Sequence, residues 1–219
     1  ISVSETTKNQ GAGPAGASST GFYLSDDAVL DAADVFLGAR PVGDMAVSAV
    51  STVSTPLQIP AGTIAGIYYI VAKADWADVV PEGVESNNTR AASLKIGPDL
   101  TVSALTGPSS ASAGGSIVVT DTTKNQGAGP VGSPSATRFY LSTNSSLGAG
   151  DVPIGSRTVG TLAVNGVDTG SATLVIPAQT APGSYYIVAV ADADGVVPES
   201  LETNNTRPRS ISISAPTGP

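Results

Sequence analysis

An internal repeat is the feature of this sequence that most constrains its fold. The segment Ile1–Pro14, ISVSETTKNQGAGP, recurs almost unchanged at Ile117–Pro130 as IVVTDTTKNQGAGP. After a gain of one residue in the second copy, the correspondence resumes with FYLS at Phe22–Ser25 and Phe139–Ser142 and continues to an NNTR motif in both copies. A repeat of about 117 residues is much longer than a solenoid unit, so each copy is expected to form a domain with its own hydrophobic core.

The hydrophobic pattern within each copy is that of β-strands. In the second copy, Leu100, Val102 and Ala104 alternate with polar residues, and clusters of Gly, Pro, Asn and Asp separate such stretches. No window shows the periodicity of an amphipathic helix. Seven short strands in just over 100 residues are typical of an immunoglobulin-like sandwich. We therefore predict an all-β protein of two tandem immunoglobulin-like antiparallel sandwiches, residues 1–97 and 98–219.

The two copies differ in length at their start. The second copy begins with residues 98–116, which include its first strand, whereas the first copy begins at the counterpart of Ile117. We expect the first domain to lack its N-terminal strand, because the sequence is a window cut from a longer array or because a neighbouring chain supplies the strand. The tail Ile213–Pro219 resembles Val102–Pro108, which suggests a head-to-tail filament joined by strand donation. Alternatively, both segments are ordinary linkers.

Composition excludes several classes of function. The 219 residues contain no His and no Cys, which rules out Ser-His-Asp and Cys-His triads, His or thiolate metal sites, and disulfides. A net charge of −8 disfavours binding to nucleic acid. No apolar run is long enough for a membrane-spanning helix. Glutamates three residues apart on exposed turns, without an aromatic cleft, do not form a glycosidase site. We predict that the chain is not an enzyme, does not bind nucleic acid and does not insert into a membrane.

Most acidic residues lie in one loop per copy, after the strand that ends in YYIVA. Carboxylate and amide oxygens are the ligands that Ca²⁺ prefers, so these loops are candidate calcium sites. The alternative is that the same side chains accept hydrogen bonds from backbone N–H groups and cap the turn. The candidate ligands are Asp75, Asp78, Glu82, Glu85 and Asn87 in the first copy, Asp192, Asp194, Glu199, Glu202 and Asn204 in the second, and a separate stretch of the first copy, Asp26, Asp27, Asp31 and Asp34.

Aromatic residues are concentrated in four dipeptides, Phe22-Tyr23, Tyr68-Tyr69, Phe139-Tyr140 and Tyr185-Tyr186. Neighbouring strand residues point to opposite faces, so one ring of each dipeptide is expected in the core and the other on the outer face. Trp76 is the only Trp and lies in a loop. It is our single candidate for a residue that contacts a ligand, such as a sugar that stacks on exposed rings.

Several motifs resemble the CARDB family, the cell-adhesion-related domain found in bacteria. They are Pro-Asp-Leu at residues 98–100, the KNQGAG turn, the FYLS strand, the paired tyrosines, and VPE-x-x-E-x-NN at Val80–Asn88 and Val197–Asn205. The resemblance covers essentially the whole chain as two copies. It implies an immunoglobulin-like fold and a structural or adhesive repeat of an exported protein, located outside the cell or on the bacterial surface.

The expected partners follow from this resemblance and from the shortened first copy. They are neighbouring copies of the same module, through strand donation or tandem stacking, and a glycan or protein of the cell surface. The alternative function is a carbohydrate-binding accessory module of a secreted hydrolase.

Overall fold

The computed structural model describes residues 1–216 and contains only β-structure apart from turns and one 3-10 turn, Glu85–Asn87. No α-helix occurs in this part of the chain. The Cα positions form two compact units, one of Ile1–Thr63 and Ile67–Lys95, and one of Ile64–Gly66 together with the chain from Ile96 onward. Both units are built from strands arranged in two sheets. The prediction of tandem all-β sandwiches is confirmed.

The first domain has six strands in two sheets. β1 and β4 form a two-stranded antiparallel sheet, in which Glu5 is opposite Val53. The other sheet has the order β3-β2-β5-β6. Phe22 and Ile70 are buried between the sheets, whereas Tyr23 is half-buried, as the alternation of strand faces predicts. The strands are β1 (Ser2–Lys8), β2 (Ser18–Ser25), β3 (Val35–Val42), β4 (Val50–Pro56), β5 (Gly66–Lys73) and β6 (Thr89–Ile96).

Up to residue 216, the second domain has eight strands, one more than predicted. They form a three-stranded sheet of order β12-β9-β7 and a five-stranded sheet of order β11-β10-β13-β14-β8. A large core lies between the sheets and includes the fully buried residues Leu100, Val119, Phe139 and Ile187. The strands are β7 (Leu100–Thr106), β8 (Ser110–Ser112), β9 (Ser116–Asn125), β10 (Ser135–Ser142), β11 (Val152–Val159), β12 (Val167–Val175), β13 (Gly183–Val190) and β14 (Thr206–Ser214).

The additional strand is β8, which pairs with β14 in the parallel direction. The chain leaves the three-stranded sheet after β7, passes Gly107 and Pro108, and joins the edge of the opposite sheet. This short parallel pair is an addition to the predicted antiparallel sandwich, whose fold class is confirmed. Three residues without an apolar alternation carry no strand signal, which is why the sequence did not indicate β8.

The edge of β1 distinguishes the two domains. In the second domain, β9 lies between β12 and β7, so both of its edges are hydrogen-bonded. Its counterpart β1 pairs with β4 alone, and among the described residues no strand of the first domain corresponds to β7. The expectation that the first domain lacks this strand is confirmed for residues 1–216.

Candidate functional site

Two loops of the second domain hold the backbone that leads into β7. We name their contacting residues the clamp. One is the last residue of β9, three belong to the turn after β9, and two belong to the loop between β13 and β14, which carries the VPE-x-x-E-x-NN motif. The clamp consists of Asn125, Gln126, Gly127, Gly129, Glu199 and Asn204.

The clamp binds backbone N–H groups at the start of β7. The Glu199 carboxylate accepts a hydrogen bond from the N–H of Leu100, and its other oxygen accepts one from Asn205 Nδ2 at 2.9 Å. Asn125 Oδ1 accepts the N–H of Asp99 at 3.1 Å. Since all three of Glu199, Asn125 and Asp99 are buried, these bonds satisfy groups that water does not reach.

The clamp also binds the side chain of Asp99, which has no exposed surface. Asn204 Nδ2 lies 2.8 Å from Asp99 Oδ1, and Gln126 Nε2 lies 3.3 Å from Asp99 Oδ2. The backbone N–H of Gln126 donates to the Asp99 carbonyl oxygen at 2.8 Å. A buried carboxylate needs hydrogen bonds to both oxygens, and two side-chain amides supply them here.

The glycines of the turn are required by close approach of this backbone. A Cβ atom at Gly127 would lie 2.4 Å from the carbonyl carbon of Pro98 and 2.5 Å from the nitrogen of Asp99. A Cβ atom at Gly129 would lie 3.0 Å from Cα of Gly97. Only glycine fits at Gly127, because real Cβ atoms do not approach backbone atoms so closely.

The acidic loop of the second domain acts as a set of backbone caps. Asp192 Oδ2 accepts the N–H of Val197 at 2.9 Å, and Glu202 Oε1 accepts the N–H of Glu199 at 3.0 Å. Asp194 differs from these residues, because it forms an ion pair at 2.5 Å with Arg138 on the surface. Most acidic side chains of this loop therefore accept hydrogen bonds from backbone N–H groups, as the alternative to a calcium site expects.

Burial of Glu199 changes its acidity. Its pKa is raised to about 7, chiefly because burial disfavours the carboxylate; the Leu100 N–H opposes this shift and the nearby charge of Glu202 adds to it. Glu82, the counterpart in the first domain, is exposed, and its pKa is raised by partial burial and then by the charges of Glu85 and Asp75.

The first domain carries every clamp residue in sequence, as Asn9, Gln10, Gly11, Gly13, Glu82 and Asn87. Asn9 keeps the local bonds of Asn125: its Oδ1 accepts the N–H of Gly11 at 2.9 Å, and its Nδ2 donates to the carbonyl of Gly13 at 2.9 Å. The two glycines, however, are not approached by a strand backbone as Gly127 and Gly129 are. A Cβ atom at Gly13 would have no neighbour within 4 Å, and one at Gly11 would approach only Asn9 and Gly13.

These residues line an open groove of about 1070 Å³, which we name the acceptor groove. Its walls include the inward-facing residues Val3, Glu5 and Thr7 of β1, together with Ile70 and Ala72 of β5. In the second domain, β7 pairs with β9 and packs against β13 and β14, the counterparts of β1, β5 and β6. The groove thus occupies the place that β7 fills in the second domain.

Exposure along the two strands agrees with this comparison. Val119, Asp121 and Thr123 of β9 are at most 1% exposed, whereas the corresponding residues of β1 are half-buried. The inner face of β9 is covered in the second domain, which has β7, whereas the inner face of β1 is partly open. The groove therefore exposes side chains that an additional strand would bury.

Three of the candidate ligands of the first acidic loop, Asp75, Glu82 and Asn87, line the groove. Asp75 Oδ2 accepts the N–H of Val80 at 2.8 Å, but its buried Oδ1 has no hydrogen-bond partner. Glu85 accepts the N–H of Glu82 at 3.0 Å and Asn88 Nδ2 at 3.2 Å. Asp78 closes the turn that begins at Asp75, and Asn87 is exposed in the 3-10 turn. Among residues 1–216, no group of three acidic side chains has the arrangement of a metal site.

The remaining acidic candidates lie in the exposed loop between β2 and β3. Asp27 Oδ1 accepts the N–H of Val29 at 2.6 Å, and Asp31 Oδ1 accepts the N–H of Ala33 at 2.7 Å. Asp34 Oδ2 accepts the N–H of Asp31 at 3.0 Å, and Asp26 is exposed. These carboxylates form local turn caps.

The structure places Trp76 beside Phe36, which in turn contacts Tyr23. Phe36 lies 5.0 Å from Trp76 between ring centroids at an interplanar angle of 30°, and Tyr23 lies 5.3 Å from Phe36 in an edge-on arrangement. We name these three residues the aromatic patch. Trp76 is 37% exposed and Phe36 46%. Phe36 was missed in the sequence, although it is the only aromatic residue besides Trp76 outside the four dipeptides.

Buried ion pairs were also missed in the sequence. The guanidinium of Arg157 lies 2.5 Å from Asp121 and 2.7 Å from Asp168, and it joins strands of the two sheets of the second domain. Arg40 and Glu5 form the corresponding pair in the first domain at 2.6 Å. The available signal was that an Arg and an acidic residue recur at matching positions of the two copies.

The predicted donor segment, Ile213–Pro219, begins inside a strand of its own domain. Ile213, the first residue of the tail, lies in β14, pairs with Gly183 and Ala111, and is 2% exposed. It therefore belongs to the core of its own domain and is not available for donation. Residues 217–219 of the tail lie outside the described residues. In the described part of the chain, no helix is long and apolar enough to cross a membrane.

Comparison with known proteins identifies the family. The CARDB family model matches residues 1–92 and again residues 97–209. No curated protein gives a significant match.

The chain is also similar to solved structures. The CARDB domain of the PF1109 protein from Pyrococcus furiosus, solved in complex with di-metal ions, is 25% identical over 54% of this chain and 90% of that domain, with a TM-score of 0.41. Red sea bream transglutaminase is 11% identical over 98% of this chain, which spans 29% of that enzyme, with a TM-score of 0.50. The second likeness concerns the fold alone. On the two family matches, the chain belongs to the CARDB family, of which it contains two tandem domains.

Proposed function

We propose that this chain is a structural or adhesive segment of an exported bacterial surface protein, and that its first domain is completed by a strand from a neighbouring module. Membership of an adhesion-related bacterial family indicates a non-catalytic structural module. The observation that carries the strand-addition part is the open edge of β1 beside the acceptor groove. Unpaired backbone at a sheet edge binds extended segments through main-chain hydrogen bonds.

Covalent completion of the first domain tests this proposal. A second copy of the segment Pro98–Ser116 is placed directly before Ile1, the counterpart of Ile117. Fluorescence of Trp76, the only Trp, reports unfolding of the first domain. The completed chain is expected to unfold at a higher temperature, with slower hydrogen exchange in β1.

The control carries the same extension with the copies of Leu100, Val102 and Leu105 changed to Ser. This extension cannot supply apolar side chains to the groove, so it is expected to have no effect. Equal melting temperatures for the completed chain and the control would overturn the strand-addition proposal. Export is tested separately by fractionation of the source cells, where recovery in the cytosol alone would contradict a surface location.

A second candidate function is carbohydrate binding by the aromatic patch. The patch is specific to the first domain, because Pro153 and Ala193 occupy the positions that correspond to Phe36 and Trp76. Exposed rings of Phe36 and Trp76 form an apolar surface of the kind that sugars stack on. A glycan array with the intact chain and with Trp76→Ala tests this function. If no glycan binds the intact chain more strongly than the Trp76→Ala variant, carbohydrate binding by the aromatic patch is excluded.

Calcium binding is retained as a proposal for the acidic loop of the first domain. The buried, unpartnered Oδ1 of Asp75 and the neighbouring carboxylates of Glu82 and Glu85 support it. Ca²⁺ that binds the folded state raises the melting temperature by mass action. The expected rise at millimolar Ca²⁺ should be absent in Asp75→Asn. A melting temperature unchanged by Ca²⁺ and by chelator would overturn the proposal.

A further inference from the structure

We propose that the second domain binds a neutral saccharide in an open cleft at one end of its sandwich. The cleft lies between the loop that joins β10 to β11 and the turn that joins β12 to β13, and we name it the end cleft. The acceptor groove and the aromatic patch, in contrast, belong to the first domain. The inference therefore does not depend on strand addition to the first domain.

The size of the end cleft suits a small ligand. Its volume is about 440 Å³. Sites that bind small molecules in proteins typically measure about 300–1000 Å³. Gly148 and Gly150 keep the cleft open, since a Cβ atom at either position would have no neighbour within 4 Å.

Apolar side chains form one part of the lining. Leu141 is buried, and the ring of Tyr185 packs against the core of the domain. The Tyr185 hydroxyl donates to the carbonyl oxygen of Ala181 at 3.0 Å, which fixes the direction of the ring. Pro177 and Val152 complete this apolar surface. An aromatic ring held in this way offers a surface on which the C–H face of a sugar can stack.

Polar side chains with free hydrogen-bonding groups form the other part of the lining. Asn144 Oδ1 accepts the N–H of Ser146 at 2.8 Å, whereas Asn144 Nδ2 has no partner within residues 1–216. The side-chain amide of Gln179 and the hydroxyls of Thr143 and Thr180 likewise form no hydrogen bond in this part of the chain. Amides and hydroxyls provide both donors and acceptors, and the hydroxyl groups of a sugar need both.

The charge of the lining favours a neutral ligand. Among the described residues, no Lys or Arg lines the end cleft, so a phosphate, a sulfate or a uronate would have no counter-charge there. Asp151 lines the cleft, but its Oδ2 already accepts the N–H of Gly148 at 2.8 Å. One hydrogen-bonded carboxylate does not supply the full shell of oxygen ligands that Ca²⁺ requires. An uncharged compound with many hydroxyl groups therefore fits the lining best.

The corresponding region of the first domain has a different character. Its loop between β2 and β3 carries Asp26, Asp27 and Asp31, whereas the counterparts of these residues in the second domain have no charge. Gly62 stands at the position of Gln179 and provides no side-chain amide. We therefore expect the saccharide to bind at this place in the second domain only, and the first domain serves as an internal control.

NMR titration of the intact chain with simple glycosides tests the inference. The probes are the methyl glycosides of glucose, galactose, mannose and N-acetylglucosamine, and the methyl glycoside of glucuronic acid is the anionic control. At least one neutral glycoside is expected to shift the backbone amides of Gly148, Gly150 and Gln179. The glucuronide should bind several-fold more weakly, because its carboxylate would enter a cleft that has no cation.

Variants of the chain locate the binding site. Gly148→Asp introduces the first-domain residue and should abolish binding, and an unchanged melting temperature would show that the domain still folds. Gln179→Ala should weaken binding about three- to ten-fold, because hydrogen bonds to its amide are lost. Ser145→Ala is the matched control, since Ser145 is exposed in the same loop and outside the lining, and it should leave the affinity unchanged.

The outcomes distinguish the end cleft from the aromatic patch. Binding that persists in Trp76→Ala and is lost in Gly148→Asp would support the end cleft. Binding that is lost in Trp76→Ala and retained in Gly148→Asp would overturn the inference and assign the saccharide to the aromatic patch. The inference is also overturned if no neutral glycoside shifts the amides of the cleft, or if the glucuronide binds as tightly as the neutral glycosides.

Discussion

The Glu199 carboxylate accepts a hydrogen bond from the backbone N–H of Leu100, which lies 99 positions earlier in the chain. This contact joins the VPE-x-x-E-x-NN loop to the first strand of the same domain. The corresponding loop of the first domain has Glu82 exposed at the end of an open groove. The same motif therefore has two structural states in one chain, which differ in whether a strand is present.

Glu199→Ala should destabilise the second domain by about 2 kcal/mol, because the buried N–H of Leu100 would lose its acceptor. Chemical denaturation of the variant, monitored by hydrogen exchange of the β9 amides, measures this change. Glu82→Ala is the matched control, and it should change the stability of the first domain by less than about 0.5 kcal/mol because Glu82 is exposed. Equal effects of the two substitutions would contradict the anchoring role of Glu199.

The stability of the second domain should fall as pH rises from about 4.5 to about 7. Over this range the folded state retains the Glu199 proton that the unfolded state has released, so the folded state binds more protons and the free energy of unfolding decreases. The change is at most roughly 3 kcal/mol. Denaturation at several pH values measures it, and Glu199→Gln should remove the slope.

Asp168 makes the free energy of unfolding of the second domain depend on pH in the opposite direction, and at lower pH. Its pKa is lowered, first by the N–H of Gly160 and then by Arg157, so its stabilisation is lost as pH falls below the usual range of an Asp. The two contributions are separable because Asp168→Asn should leave the slope between pH 4.5 and 7 unchanged. If the pH dependence of stability between pH 4.5 and 7 persists in Glu199→Gln, a different titratable group causes it.

Asp121→Asn should destabilise the second domain by about 1 to 3 kcal/mol, because Arg157 would lose its fully buried carboxylate partner and keep only the partly exposed Asp168. Asp121 has no exposed side-chain surface, and both of its oxygens accept bonds from Arg157. Glu5→Gln in the first domain should cost less, since the Glu5 side chain is 12% exposed. Denaturation of each variant measures its loss in free energy of unfolding. Trp76 fluorescence reports the unfolding of the first domain.

Gly127→Ala and Gly11→Ala should have different effects despite their equivalent positions. The added methyl group at Gly127 collides with the backbone of Pro98 and Asp99, and a cost of about 1 to 3 kcal/mol is expected from overpacking. At Gly11 the methyl group would meet only Asn9 Oδ1, at 3.3 Å, so the melting temperature of the first domain should change much less. In the covalently completed chain, Gly11→Ala should become destabilising; a neutral effect there would show that the added strand does not follow the path of β7.

Local sequence patterns predicted the sandwiches and the position of both acidic loops. Alternation of apolar residues depends only on which strand face is buried, and so it identified strands such as β7 and β14. The Phe22-Tyr23 dipeptide likewise indicated one buried and one outer ring. Strand β8 was not predicted, because its pairing with β14 depends on where the chain passes after Gly107.

The sequence by itself determined that this protein is a tandem repeat of β-sandwiches and that its loops are acidic. Only the tertiary structure decided what the loops contact: Glu199 binds the start of a strand, Phe36 packs on Trp76, and Arg157 joins Asp121. The physical reason is that these contacts link residues far apart in the chain. Their partners are chosen by the path of the backbone and by the burial of charge, neither of which a local pattern of residues records.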